Sequence, residues 1–198
     1  MRVLNVGGNS KEIPIPPHYA GWEHLLLDID PRGKPDVVAD ARELDVLPSR
    51  QFDAVFCSHN LEHYYAHDGA RVLRGFVHVL KEDGFAEIRV PDIKALMTHV
   101  VASGIDVDDA VYTSPAGAIT AHDMLYGWSV ELERSGRDFY AHKTGYTPAS
   151  LLRRLREAGF LVVVLGSVPA TFELAAFAFK QAPRPDQLKL LGLPPQAR

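Results

Sequence analysis

The chain has 198 residues, 46% of them hydrophobic, which suits one well-buried domain and is too short for two full ones. Its net charge is −4 with no basic run, so it lacks the electrostatic footprint of a nucleic-acid partner. The lone cysteine, Cys57, cannot form an internal disulfide. There is no signal-peptide pattern, and no window approaches the roughly 18 apolar residues of a membrane span, so a cytoplasmic protein without a membrane partner is expected.

Val3 to Val6 reads as a first strand, turned at its end by Gly7-Gly8-Asn9-Ser10. Glycines there allow a close backbone approach to a ligand, or simply a turn. Pro14, Pro16 and Pro17 follow where a helix would start, and that density excludes most helix. His24 to Leu27 is a second strand ending in Asp28-Ile29-Asp30. A carboxylate at this point can accept from both hydroxyls of a ribose; Asp28 is the first choice and Asp30 the alternative, against a solvated turn. Val37 to Ala39 is a brief third strand followed by Asp40-Ala41. Only about eight residues separate Asp28 from Val37, too few for a helical crossover of 10–12.

The apolar run Ala54 to Cys57, closed by Ser58-His59-Asn60, suits a strand buried on both faces of a parallel sheet. Polar residues at the carboxyl end of such a strand lie where open α/β sheets bind ligands. Asp68 opens an amphipathic helix that ends at Lys81-Glu82-Asp83-Gly84, and Phe85 to Val90 is the fifth strand. A further helix from Ile93 stops at Gly104. Residues 105–146 fit no βα unit; their aromatics, with Tyr126, Phe139, Tyr140 and His142 among them, suit a substrate lid or a dimer surface. Thr147-Pro148 caps and starts another helix, ended by Gly159. Leu161 to Leu165 and Ala175 to Phe179 are joined by about nine residues, so they should pair antiparallel. The expected layout is one domain over 1–180, with 105–146 inserted, and a Pro-rich surface extension over 181–198.

These stretches resemble the class I S-adenosylmethionine-dependent methyltransferases, especially small bacterial members with a Leu-Glu-His signature, here Leu61-Glu62-His63. The resemblance implies an α/β, Rossmann-like seven-stranded fold of order 3-2-1-4-5-7-6, with strand 7 antiparallel and some crossover helices reduced. It implies S-adenosylmethionine as cofactor, held by Gly7, Gly8, Asn9, Asp28, Asp40, Ala41, Ser58 and His59. In the family the position of Asp40 receives the adenine amino group and the next amide meets a ring nitrogen. The usual third glycine and helix N-terminus are missing here, so the amides of Gly7 to Ser10 are expected to serve instead. The implied reaction is in-line attack of an acceptor on the sulfonium methyl, with S-adenosylhomocysteine leaving, accelerated chiefly by positioning. Where the acceptor must lose a proton, His59, His63 and His142 are the candidate catalytic residues. The acceptor is unidentified, with a small molecule expected, and a homodimer is the alternative use of the insertion.

Three rival readings are weighed. His59-Asn60-Leu61-Glu62-His63 matches the H-x-x-E-H zinc-hydrolase pattern, but that pattern needs a helix and a third ligand, and no metal is expected. A nicotinamide-binding oxidoreductase would share the glycine turn and Asp28, but should show G-x-G-x-x-G opening a helix. A non-catalytic protein of the same fold, binding the cofactor or a partner, is the third.

Overall fold

The computed structural model describes residues 1–115 and 117–195. The strands are β1 (Arg2–Val6), β2 (Glu23–Asp28), β3 (Val37–Val38), β4 (Phe52–Ser58), β5 (Leu80–Pro91), β6 (Ala110–Ser114), β7 (Gly117–Thr120), β8 (Val162–Val168) and β9 (Glu173–Phe179). The helices are α1 (Ala66–Val79), α2 (Ile93–Ser103), α3 (Ala121–Tyr126), α4 (Ser129–Ser135), α5 (Pro148–Ala158) and α6 (Pro185–Leu190). Seven strands make one sheet in the order β3-β2-β1-β4-β5-β9-β8, and β6 and β7 form a separate hairpin. β9 runs antiparallel to both β5 and β8, while the other sheet pairings are parallel. The expected order and the one reversed strand are both present, with β8 and β9 as the sixth and seventh strands of the sequence reading.

Side chains alternate between the two faces of the central strands. Leu4, Val55, Cys57, Ala86 and Ile88 pack with residues of α1 and α5. Val3, Ala54, Phe56, Phe85 and Phe179 point the other way, onto Tyr19 and Trp22. Among the described residues no α-helix links β1 to β2, β2 to β3 or β3 to β4; short 3₁₀ turns at Pro17–Tyr19, Pro31–Gly33 and Ala41–Val46 stand in their place.

The second face therefore needs another cover, and the C-terminal stretch helps to supply it. Leu188 of α6 is buried, Leu191 and Leu193 pack on the Tyr19–Phe85 cluster, and Gln187 Nε2 donates to Asp83 O at 2.7 Å. This corrects the reading of that stretch as a surface extension: Pro185 sits in the first turn of α6, where its missing N–H costs nothing. Residues 196–198 of the stretch lie outside the described residues. The insertion is likewise more regular than its sequence suggests, holding the β6–β7 hairpin, α3 and α4. Asp123 caps α3 through Thr120 and accepts from Ser129 N and Oγ at 2.9 and 2.6 Å, joining the two helices.

The segment that replaces the first crossover helix is tied down by one carboxylate. Glu87 on β5 is fully buried, and its oxygens meet His18 Nε2 at 2.8 Å, Tyr19 Oη at 3.1 Å and the Arg89 guanidinium at 2.8 and 3.0 Å. Hydrogen bonds to a charged group are worth about 1.5–3 kcal/mol, and the donors would be stranded without it. Glu87→Ala should lower the unfolding free energy by about 2–3 kcal/mol in urea denaturation. An unchanged midpoint would mean that the Pro-rich segment is held by its apolar contacts alone.

Candidate active site

β1 and β4 are neighbours, yet the chain leaves them toward opposite edges of the sheet, and a crevice opens beyond their carboxyl ends. Two features shape its floor. Gly7 closes β1 at φ +72°, and a Cβ on it would stand 2.1 Å from Nδ2 of Asn60. Only glycine fits both the backbone conformation and the neighbour. Asn9 and His59 also hold positive φ, 60° and 49°, an uncommon state for residues with side chains and one concentrated at functional sites.

A cavity of about 380 Å³ lies over this floor, lined by Gly7, Asn9, Asp28, Asp40, His59 and Asn60 together with Arg42, Tyr140 and Lys143. A second of about 370 Å³ adjoins it, and Asn9, His59, His63 and Tyr140 border both. The far walls of the second cavity come largely from the insertion: Tyr112, Ile119, Met124, Trp128, Glu131 and His142.

Among the residues expected at the cofactor, Gly7, Asn9, Asp28, Asp40 and His59 thus share one cavity. Gly8 and Ser58 face a neighbouring space under Pro14, Pro16 and Pro17, and Ala41 is buried. Asp28 accepts from Asn9 N and Asp30 N, both at 2.8 Å, which leaves each carboxylate oxygen one further lone pair. Asp30 is turned away: hydrogen bonds from Arg32, with one from Tyr140 Oη at 3.0 Å, hold its carboxyl down at about 2. Asp40 already accepts from the N, Nε and Nη2 of Arg42, whose flat guanidinium joins the cavity wall.

Three of the four amides of Gly7 to Ser10, which were expected to serve a ligand, are engaged within the chain. Gly7 N donates to Leu27 O, Asn9 N to Asp28 and Ser10 N to Gly8 O, because a turn without a following helix must satisfy its amides locally. Asn60 brings a side-chain amide to the wall, beside Arg42 and Lys143, which are paired with Asp40 and Asp138. Asn60 directly follows the Ser58-His59 pair of the sequence reading, whereas Lys143 and the lid residue Tyr140 arrive from a distant segment.

The three histidines differ sharply. His59 Nε2 lies 2.8 Å from Glu173 Oε2 and its Nδ1 3.5 Å from Glu62 Oε1. Burial lowers its affinity for a proton, but these two carboxylates outweigh that and raise its pKa to about 10, although half the side chain faces the cavity. It is therefore a donor at neutral pH. His142 is pulled the other way by burial, with its Nδ1 2.9 Å from Met124 O. His63 Nδ1 lies 3.1 Å from Ala141 O and Nε2 3.2 Å from His59 O. The H-x-x-E-H stretch is a 3₁₀ turn over Leu61–His63, so His59 and His63 do not present one helical face as the zinc-hydrolase pattern requires. Tyr126, expected in the lid, is mostly exposed and packs on His122, contributing its carbonyl to His142 N instead.

Comparison with known proteins agrees with this geometry. Residues 22–88 match the family model described as a methyltransferase domain. Curated proteins offered no sequence match. A SAM-dependent methyltransferase from Archaeoglobus fulgidus is similar in structure at 18% identity and TM-score 0.54, covering 90% of this chain and 86% of that one. One from Mesorhizobium loti shares 17% identity at TM-score 0.57, covering 90% of each chain. The 1,6-didemethyltoxoflavin-N1-methyltransferase of Burkholderia thailandensis, solved with bound 1,6-didemethyltoxoflavin and S-adenosylhomocysteine, shares 17% at TM-score 0.53, covering 90% of this chain and 70% of that one. These likenesses show the fold, and residues 22–88 carry the methyltransferase-domain match; both point to S-adenosylmethionine as the methyl donor.

The residues present fit that donor: a carboxylate with spare lone pairs, a glycine that admits no side chain, and a cavity within the 300–1,000 Å³ of typical ligand sites. Asp28→Ala should weaken S-adenosylhomocysteine binding by about 1.5–3 kcal/mol in calorimetry. Asp36, in the loop after β2, accepts from Leu26 N at 2.7 Å and so is no control. The exposed Asp108 is a better one, and Asp108→Ala should leave affinity unchanged.

Proposed function

We propose that this protein transfers a methyl group from S-adenosylmethionine, held in the first cavity, to a small-molecule acceptor held in the second, in the cytoplasm. What supports the reading is one observation: two cavities of nearly equal volume share a wall made of Asn9, His59, His63 and Tyr140. The donor brings an already activated methyl group, so the protein's task is to hold two molecules in line and keep water from the gap.

Each wall has its own part. Asp28 is suited to the ribose hydroxyls and Gly7 to close approach of the adjoining chain. Arg42 offers a flat cationic surface near Asp40, where adenine would lie. His59, anchored by Glu173 and Glu62, is a fixed hydrogen-bond donor at the boundary between the two spaces. Trp128, Tyr112, Ile119 and Met124 give the acceptor an apolar cradle, with Glu131 and His142 as polar points to orient it. A cavity of this size accommodates a metabolite-sized ring system, which favours a small molecule over a folded protein.

Two measurements test the reading. S-adenosylhomocysteine should raise the melting temperature, since ligand at 100 times its dissociation constant adds about 2.7 kcal/mol, while NAD should not. No shift at millimolar S-adenosylhomocysteine would sink the donor assignment. Trp128→Ala should leave that shift intact and lower turnover of an acceptor found by screening; a variant that loses both together would mean that the cavities do not divide the work.

A further inference from the structure

Glu62 is the most unusual group in the molecule. Its side chain is 1% exposed, and neither carboxylate oxygen has a hydrogen-bond partner among the described residues. Burying a carboxylate without partners costs several kcal/mol, so something should answer it. His59 Nδ1 makes an ion pair with one oxygen at 3.5 Å, at the limit of hydrogen-bond reach, and His142 Nε2 stands 4.0 Å from the same oxygen, which leaves the other oxygen without a partner among the described residues.

The surroundings are built around this carboxylate. The backbone amides of Lys143 and Thr144 both donate to Glu62 O, at 2.8 and 3.1 Å, which docks the insertion on the Leu61–His63 turn. That brings His142 beside Glu62 and packs its ring on His63, with centroids 4.9 Å apart. Each ring has Nδ1 against a backbone carbonyl: Met124 O at 2.9 Å for His142 and Ala141 O at 3.1 Å for His63. For His142, donation from Nδ1 leaves a lone pair on Nε2, the arrangement that orients histidine toward a metal. His63 Nε2 lies 3.2 Å from His59 O, so this ring must swing off that carbonyl to turn a nitrogen toward the other two side chains. One ligand atom from each of Glu62, His63 and His142 lies within 4.8 Å of the others. Around an ion with bonds of about 2.0–2.1 Å, tetrahedral ligands stand roughly 3.4 Å apart, so side-chain adjustments of about an ångström close the site.

We propose that Glu62, His63 and His142 bind a divalent transition-metal ion in the wall between the two cavities. Two imidazoles and one carboxylate favour Zn²⁺, Co²⁺ or Mn²⁺ over Mg²⁺ or Ca²⁺, which prefer all-oxygen shells. Three protein ligands leave at least one coordination position open. His63 borders both cavities and His142 borders the second, so the open position faces the space assigned to the acceptor. There the ion could draw in an oxygen or nitrogen of that molecule and lower its proton affinity. The metal site stands on its own geometry; its service to the acceptor rests on the methyl-transfer reading. It also reverses the expectation of no metal, which followed from a missing third ligand that the fold supplies as His142.

The test is calorimetric titration of EDTA-stripped full-length protein with Zn²⁺, Mn²⁺ and Mg²⁺, with Co²⁺ absorption as a second readout. Wild type should bind one Zn²⁺ per chain and show Co²⁺ d–d bands in the visible, while Mg²⁺ should give no comparable heat. Losing a partner one step removed from a metal costs about 10–100-fold in affinity, so Glu62→Gln and His142→Ala should each cost at least about 100-fold. The chain has nine histidines, and the exposed His67 is the control for loose surface binding: His67→Ala should bind as wild type does. If His142→Ala fails to fold, the nearly isosteric Glu62→Gln decides. No binding by wild type at millimolar Zn²⁺, or binding unchanged by Glu62→Gln, overturns the proposal. S-adenosylhomocysteine binding is measured on the same metal-free protein, so failure of the donor reading registers separately from failure of the metal site.

Discussion

The structure depends on a constraint of topology. β1 and β4 lie side by side and parallel, but the chain departs from β1 toward β2 and β3 and from β4 toward β5 and the hairpin. No crossover can cover the point where those directions part, so the ends of both strands stay open to a ligand. Gly7 and the Ser58-His59-Asn60 run lie at that point because they are the residues that end those strands. Close fitting of Gly7 against Asn60 joins the two halves of the floor and leaves no room for a side chain.

A short chain has made this fold with fewer helices than its seven strands would ordinarily recruit, and buried charge does part of their work. Glu87 ties down the segment after β1, Asp28 satisfies the turn amides that a helix would have used, and Glu173 at the start of β9 holds His59. Each carboxylate sits near a strand end or on a central strand, where a single group can reach donors from segments far apart in sequence. Such groups are costly to desolvate, and they are kept where their partners make a particular arrangement of loops the only satisfied one. Among the described residues no hydrogen bond reaches the Glu62 carboxylate, which sets it apart from the other three.

The insertion divides the crevice at the strand ends into two compartments. Its 3₁₀ turn over Asp138–Tyr140 and the strand-like run after it pass over the first cavity, while the hairpin, α3 and α4 enclose the second. Tyr140 Oη reaches both Asp30 and Arg32, so the loop after β2 and the insertion are clasped across the mouth. Variation in such a segment changes the second compartment without disturbing the strand ends, a division of labour common where a rigid sheet carries adaptable loops.

The sequence by itself determined the elements and their order. Period-two and helical patterns, the caps at Thr147-Pro148 and Gly159, and the short link between the last two strands lead to the sheet with its reversed strand, because these signals are local. Asp28, Asp40 and His59 were legible as residues that share one cavity for the same reason: each lies at or just past a strand end, and strand ends converge in a parallel sheet. Tertiary structure alone decided the rest. Asp30 is taken up by Arg32 two residues on and by Tyr140 110 positions away, and three of the Gly7–Ser10 amides are engaged by the geometry of a helix-free turn. The tail became a cover because the second sheet face lacked one. The meeting of Glu62, His63 and His142 required the insertion to dock through its backbone, and backbone hydrogen bonds between distant segments leave no mark in residue type.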